Sequence, residues 1–75
     1  MFYRNGDAVK LHDKVKLWDN CFGVVVCSLD TGEFSEDYPK HDWGYLKTGV
    51  LIDSESAGLI HYLDSNEDLE LVNRG

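Results

Sequence analysis

Two cysteines, one proline and one methionine are all that this 75-residue chain holds of those types. Cys21 and Cys27 are too few to form the framework of a disulfide-stapled mini-protein. Their plain reading is a pair of reduced thiols in a cytoplasmic protein. No apolar run exceeds five residues, which excludes a membrane-spanning helix. The opening Met1-Phe2-Tyr3-Arg4 has no apolar h-region, so a secretory leader is not expected. Most glycines stand singly, with neither a GxGxxG nor a P-loop spacing, which removes the phosphate-cradling loops. Bases are scarce as well: 7 Lys and Arg stand against 14 Asp and Glu, for a formal net charge of −7. Such a field disfavours phosphate backbones and anionic membranes and favours a basic protein partner.

What is present suffices for a core. Apolar residues make up 43% and aromatics 12%, too rich a mixture for a disordered tail. The length fits one domain over residues 1–75. A chain this short buries only roughly 60% of its unfolded surface. It therefore needs very regular packing or a partner chain, and a homodimer is one solution. The charge is uneven: residues 1–18 carry Arg4, Lys10, Lys14 and Lys16 against Asp7 and Asp13, while the acids dominate from residue 19 onward.

The organising pattern is short strands punctuated by turn residues. Val9 and Leu11 alternate with Lys10 and His12, and Val15 and Leu17 alternate with Lys14 and Lys16, a period of two with lysines outward. His12-Asp13 reads either as a turn between two strands or as a bulge in one. Asp19-Asn20 begins a turn. Gly23 to Leu29, with β-branched residues in succession, reads as a strand covered on both faces. Tyr45 to Asp53 predicts the next strand, with Leu46, Thr48, Val50 and Ile52 on one side and Gly49 marking a bulge or close approach. Ser54 to Gly58 is a hairpin loop, Leu59 to Leu63 returns, and Ser65 to Asp68 makes one helical turn. Leu69, Leu71 and Val72 complete the sheet. The expected fold is all-β: a small five- to six-stranded SH3-like antiparallel barrel with one long loop, about 30–44, and a short helical turn near 65–68. Closure of such a barrel removes exposed edges.

The run from Val15 to Val26, with Gly6-Asp7 and Val9 before it, resembles the opening of an SH3-like barrel of the small bacterial kind, including KOW-type domains and several toxin-immunity proteins. The resemblance covers about a third of the chain and rests on turn chemistry, so it implies fold more than function. The acidic loops depart from RNA-binding KOW domains, whose loops are basic. An Ala-Leu-Tyr-Asp-Tyr run, the mark of eukaryotic signalling SH3 domains, is absent.

The long loop is the leading candidate site. Glu33, Phe34, Glu36, Asp37, Tyr38, Asp42 and Trp43 place aromatic contact area beside carboxylates that can bind Arg or Lys. The alternative is that Phe34, Tyr38 and Trp43 fold back to cap one end of the barrel. A second acidic stretch, Asp64, Glu67, Asp68 and Glu70, could imitate a phosphate backbone or be a solvated turn. Trp18, Phe22 and Tyr62 could form a peptide-binding aromatic patch or serve as half-buried sheet residues. Cys21, Cys27, His41 and His61 lack zinc-knuckle spacing, so no metal is expected. Nothing in the sequence positions a nucleophile and base together, so no catalytic residue and no cofactor is expected. The strip of Lys10, Lys14 and Lys16 offers a nucleic-acid-binding KOW-like barrel as a lesser alternative, which the acid excess elsewhere in the chain disfavours. The expected function is a stoichiometric inhibitor, immunity or antitoxin-type protein that occludes a basic partner. An accessory subunit docking through apolar strand edges is the principal alternative.

Overall fold

The computed structural model describes residues 2–3, 6–63 and 69–74, and six strands form a single antiparallel sheet within them. They are β1 (Asp13–Trp18), β2 (Cys21–Ser28), β3 (Glu33–Phe34), β4 (Val50–Ser54), β5 (Gly58–Tyr62) and β6 (Glu70–Arg74). The order is β5-β4-β2-β1-β6, with β3 paired to the far end of β2. A meander whose last strand returns beside the first is the path of a small SH3-like barrel, and the all-β expectation holds. The expected helical turn at 65–68 lies outside the described residues. Among the described residues, no helix is long and apolar enough to cross a membrane.

Alternation sets the faces. In β1 Val15 and Leu17 are buried while Lys14 is exposed and Lys16 half-buried. Val15, Leu17, Val25, Val50, Ile52 and Leu69 form the main core with Tyr3, Val9 and Cys21. Each such fully buried aliphatic side chain contributes about 1.5–3 kcal/mol. A bulge in β2 then changes the phase. Val25 pairs with Ile52 and Cys27 with Leu51, leaving Val26 as the extra residue. Val26, Cys27, Leu29 and Leu51 consequently gather in a second cluster on the opposite face. The late part of β2 is thereby buried on both sides, as its β-branched run suggested, while Val24 before the bulge is exposed.

The tight connection between β4 and β5 follows from sequence. Ser54 Oγ donates to the Gly58 carbonyl at 2.7 Å and accepts from the Ala57 N–H at 3.0 Å. Gly58 takes φ +72°, the left-handed conformation that closes a three-residue hairpin loop.

Two strand expectations are corrected. Residues 9–11 are not a strand. Lys10 to Asp13 is a turn, its carbonyl accepting from the Asp13 N–H at 3.2 Å, with His12 at φ 71°. Tyr45 to Gly49 is not a strand either, because Gly44–Leu46 forms a 3-10 turn and Lys47 and Gly49 have positive φ. Gly49 is a close approach, since a β-carbon there would collide with the Tyr62 carbonyl. Val72 lies in β6 but is the extra residue between Leu71 and Asn73 opposite β1, which turns it to solvent.

Candidate protein-binding loop

The segment between β2 and β4 is tied down at its base. Gly49 N–H donates to Asp30 Oδ1 at 2.9 Å, and the Gly49 carbonyl accepts from the Leu29 N–H at 2.9 Å. The hydrogen bond from Gly49 holds the Asp30 carboxyl below the usual carboxylate range. A turn at Gly32 sends the chain back as β3, pairing Phe34 with Cys27 and Glu33 with Ser28. Thr31 Oγ1 donates to Glu33 Oε1 at 2.7 Å, which orients that carboxylate. The Ser35 N–H donates to the Val26 carbonyl at 3.1 Å, at the bulge. Pro39 then starts a four-residue helix, α1 (Lys40–Trp43), its carbonyl accepting from the N–H groups of Asp42 and Trp43.

This route decides where the rings go. Phe34, Tyr38, Trp43 and Leu46 are half-buried and pack on the second cluster of Val26, Cys27, Leu29 and Leu51. Tyr38 and Trp43 stack at 5.7 Å with a 49° tilt, a favourable aromatic geometry. Cys27 Sγ donates to the Tyr38 carbonyl at 3.3 Å, and burial pushes its thiol up. Burial also raises the Tyr38 phenol, with the charges of Asp53 and Asp37 acting in the same direction. The rings lie over the face of β2 and β4 that the main core does not use. Glu33, Glu36, Asp37 and Asp42 are exposed. The arrangement is therefore rings inward and carboxylates outward.

The other sequence candidates separate. Tyr62 pairs with Val50 and packs on the main core, whereas Phe22 pairs with Lys16 on the outer face, so Trp18, Phe22 and Tyr62 do not make one aromatic patch. Cys21 and Cys27 belong to different clusters on opposite sheet faces and cannot share one ion. Cys21 Sγ lies 3.1 Å from Ser56 Oγ. His41 is exposed beside Asp42 at 3.4 Å, and His61 Nε2 lies 2.8 Å from the Thr48 carbonyl. Asp64, Glu67 and Asp68 lie outside the described residues, and Glu70 begins β6, exposed.

One polar site was not anticipated. Asp13 is 1% exposed. Its Oδ2 accepts from Tyr3 Oη at 2.6 Å and from the Lys10 N–H at 2.9 Å, and Arg74 Nη1 stands 3.8 Å from its Oδ1. The signal was available: Asp13 is in phase with Val15 and Leu17, on the buried face of β1.

No known protein family, no curated protein and no solved structure matches this chain. The functional reading therefore rests on the geometry of the loop and the sheet faces.

Proposed function

We propose that this chain is a small protein-binding module that occludes a basic partner stoichiometrically, in the manner of an inhibitor, immunity or antitoxin-type protein. One observation carries the reading: Glu33, Glu36, Asp37 and Asp42 project to solvent from a loop whose own rings anchor it to the sheet. A loop held by its own packing loses little conformational entropy on binding. Carboxylates displayed on it offer charge-assisted bonds to Arg and Lys. Trp43, Tyr38 and Phe34 serve as the rigid base of this surface. The two free thiols, buried on opposite faces, suit a reducing cytoplasm. Catalysis forms no part of this reading, since the loop offers display rather than a cleft.

The test is capture from host extract with the immobilised chain at low and high salt, followed by identification of what is retained. One stoichiometric basic protein, lost at high salt and lost with Glu36→Lys/Asp37→Lys, is the expected result. Absence of any partner at either salt overturns the reading. A second reading, an accessory subunit docking through strand edges, draws on exposed Leu59 and Val72 on β5 and β6, the two ends of the strand path. It expects a partner that survives high salt and ignores the charge reversal.

A further inference from the structure

The helical run that closes the loop sorts its side chains to two sides. Helix α1 leads directly into the 3-10 turn over Gly44–Leu46, and Trp43 and Gly44 at the junction both keep right-handed helical backbone. Residues three apart along such a run stand nearly above one another. One such pair, Trp43 and Leu46, packs on Val26, Cys27, Leu29 and Leu51. The pair one position earlier, Asp42 and Tyr45, is exposed. Tyr45 is 70% exposed, more than any other large apolar side chain among the described residues. The turn beneath it is fixed: the Lys47 N–H donates to the Gly44 carbonyl at 3.2 Å and the Thr48 N–H to the Leu46 carbonyl at 2.8 Å. A carboxylate and an aromatic ring thus stand side by side on a support anchored at both ends.

From this placement we propose that Asp42 and Tyr45 form a receptor for one arginine side chain of the basic partner, with the guanidinium stacked on the Tyr45 ring and its N–H fork on the Asp42 carboxylate. This receptor rests on the basic-partner reading above and names the side chain that the loop selects. An arginine satisfies both groups at once. Its guanidinium is planar, lies flat on aromatic faces and presents paired donors to a carboxylate. A lysine ammonium is a strongly hydrated point charge and gains less from the ring. Packing of Trp43 and Leu46 on either side of Tyr45 orders the turn before the partner arrives, so little further ordering is needed on binding. His41 Nε2 lies 3.4 Å from Asp42 Oδ1, but 80% of that imidazole side chain is in solvent and so exposed a contact is weak enough to yield. Glu33, Glu36 and Asp37 attract any cation, whereas the ring beside Asp42 chooses among them. General charge attraction and arginine selection therefore reside in different residues.

The experiment is fluorescence anisotropy of dye-labelled hexa-arginine and hexa-lysine with the full chain at about 0.05 M salt, where surface charge is only partly screened. Hexa-arginine is expected to bind the more tightly. Tyr45→Leu keeps apolar area but removes the ring. It is expected to weaken hexa-arginine by about two- to fivefold, the effect of one exposed cation–π contact, and hexa-lysine by less. Tyr45→Phe keeps the ring face and is expected to recover the hexa-arginine affinity that Tyr45→Leu loses. In an Asp42→Asn background the loss on Tyr45→Leu is expected to shrink, because one guanidinium serves both groups. Both positions are exposed, and urea midpoints check that the variants fold. Binding of both peptides that Glu36→Lys/Asp37→Lys abolishes and Tyr45→Leu leaves unchanged overturns the receptor while the acidic-loop reading stands. Equal losses of the two peptides on Tyr45→Leu overturn it too. Binding of neither peptide at about 1 mM, where even millimolar affinity is visible, overturns the receptor and counts against the basic-partner reading as well.

Discussion

Tyr3 Oη donates a 2.6 Å hydrogen bond to the buried carboxylate of Asp13, across ten residues of sequence. Arg74 reaches the same carboxylate from the end of β6 and donates to the Ala8 carbonyl at 3.2 Å. A single acid thereby joins the N-terminal segment, the start of β1 and the last strand. Asp13→Ala leaves the Tyr3 hydroxyl and the Lys10 N–H without their acceptor, and is expected to cost about 3 kcal/mol. Tyr3→Phe removes one donor from a carboxylate that keeps others, and should cost about 1–2 kcal/mol. Urea denaturation midpoints test the ranking. Arg74→Ala, at a longer and half-exposed pair, should cost less than about 1 kcal/mol.

The same contact gives an alkaline signature. Burial first, then the hydrogen bond and charge of Asp13, raise the Tyr3 phenol far above its ordinary value of 10.0. The folded state thus resists ionisation that the unfolded chain undergoes. Its contribution to stability is complete below pH 10 and declines as pH rises above it. Stability measured against pH should fall on the alkaline side in wild type, and fall less steeply in Tyr3→Phe.

Gly49 combines a positive φ of 86° with a backbone approach to Tyr62 that leaves no room for a methyl group. Gly49→Ala should cost more than about 2 kcal/mol. Gly32, also at positive φ but with open space around it, is the control. Gly32→Ala should cost only about 1 kcal/mol, the conformational penalty alone. Thermal denaturation of the pair separates collision from backbone strain.

Ser35 Oγ is buried with no hydrogen-bond partner among the described residues. Its desolvation is uncompensated, so Ser35→Ala should leave stability unchanged or raise it by up to about 1 kcal/mol. A loss greater than about 1 kcal/mol in urea would show that the hydroxyl is satisfied in solution.

Anchoring and display within the loop are separable by mutation. Trp43→Ala strips a half-buried ring from the second cluster and should destabilise by about 2 kcal/mol. Glu36→Lys and Asp37→Lys, at exposed positions, should change stability by no more than about 0.5 kcal/mol. Equal losses from ring and acid variants would contradict the division of labour.

Much of the sheet was legible because strand alternation and turn chemistry are local. Val15 and Leu17 against Lys14 and Lys16 located β1, and the Ser54 to Gly58 run located the β4–β5 hairpin. The extended reading of Tyr45 to Gly49 failed where alternation was present but the chain had to turn, with Asp30, nineteen positions away, fixing the turn at Gly49. In the candidate site, the exposure of the acids followed from their charge. The seat of Phe34, Tyr38 and Trp43 depended on a bulge at Val26 that turns Cys27 to the same face as that valine and Leu51.

The sequence by itself determined the all-β class, the main strands and the excess of acid, since each depends on residue type and spacing of two to five positions. Tertiary structure alone decided that Asp13 is a buried hub and that the aromatic loop lies across a sheet face. The physical reason is register. A hydrogen-bonded ladder brings together residues ten to sixty positions apart, and one bulge moves every later side chain to the other face.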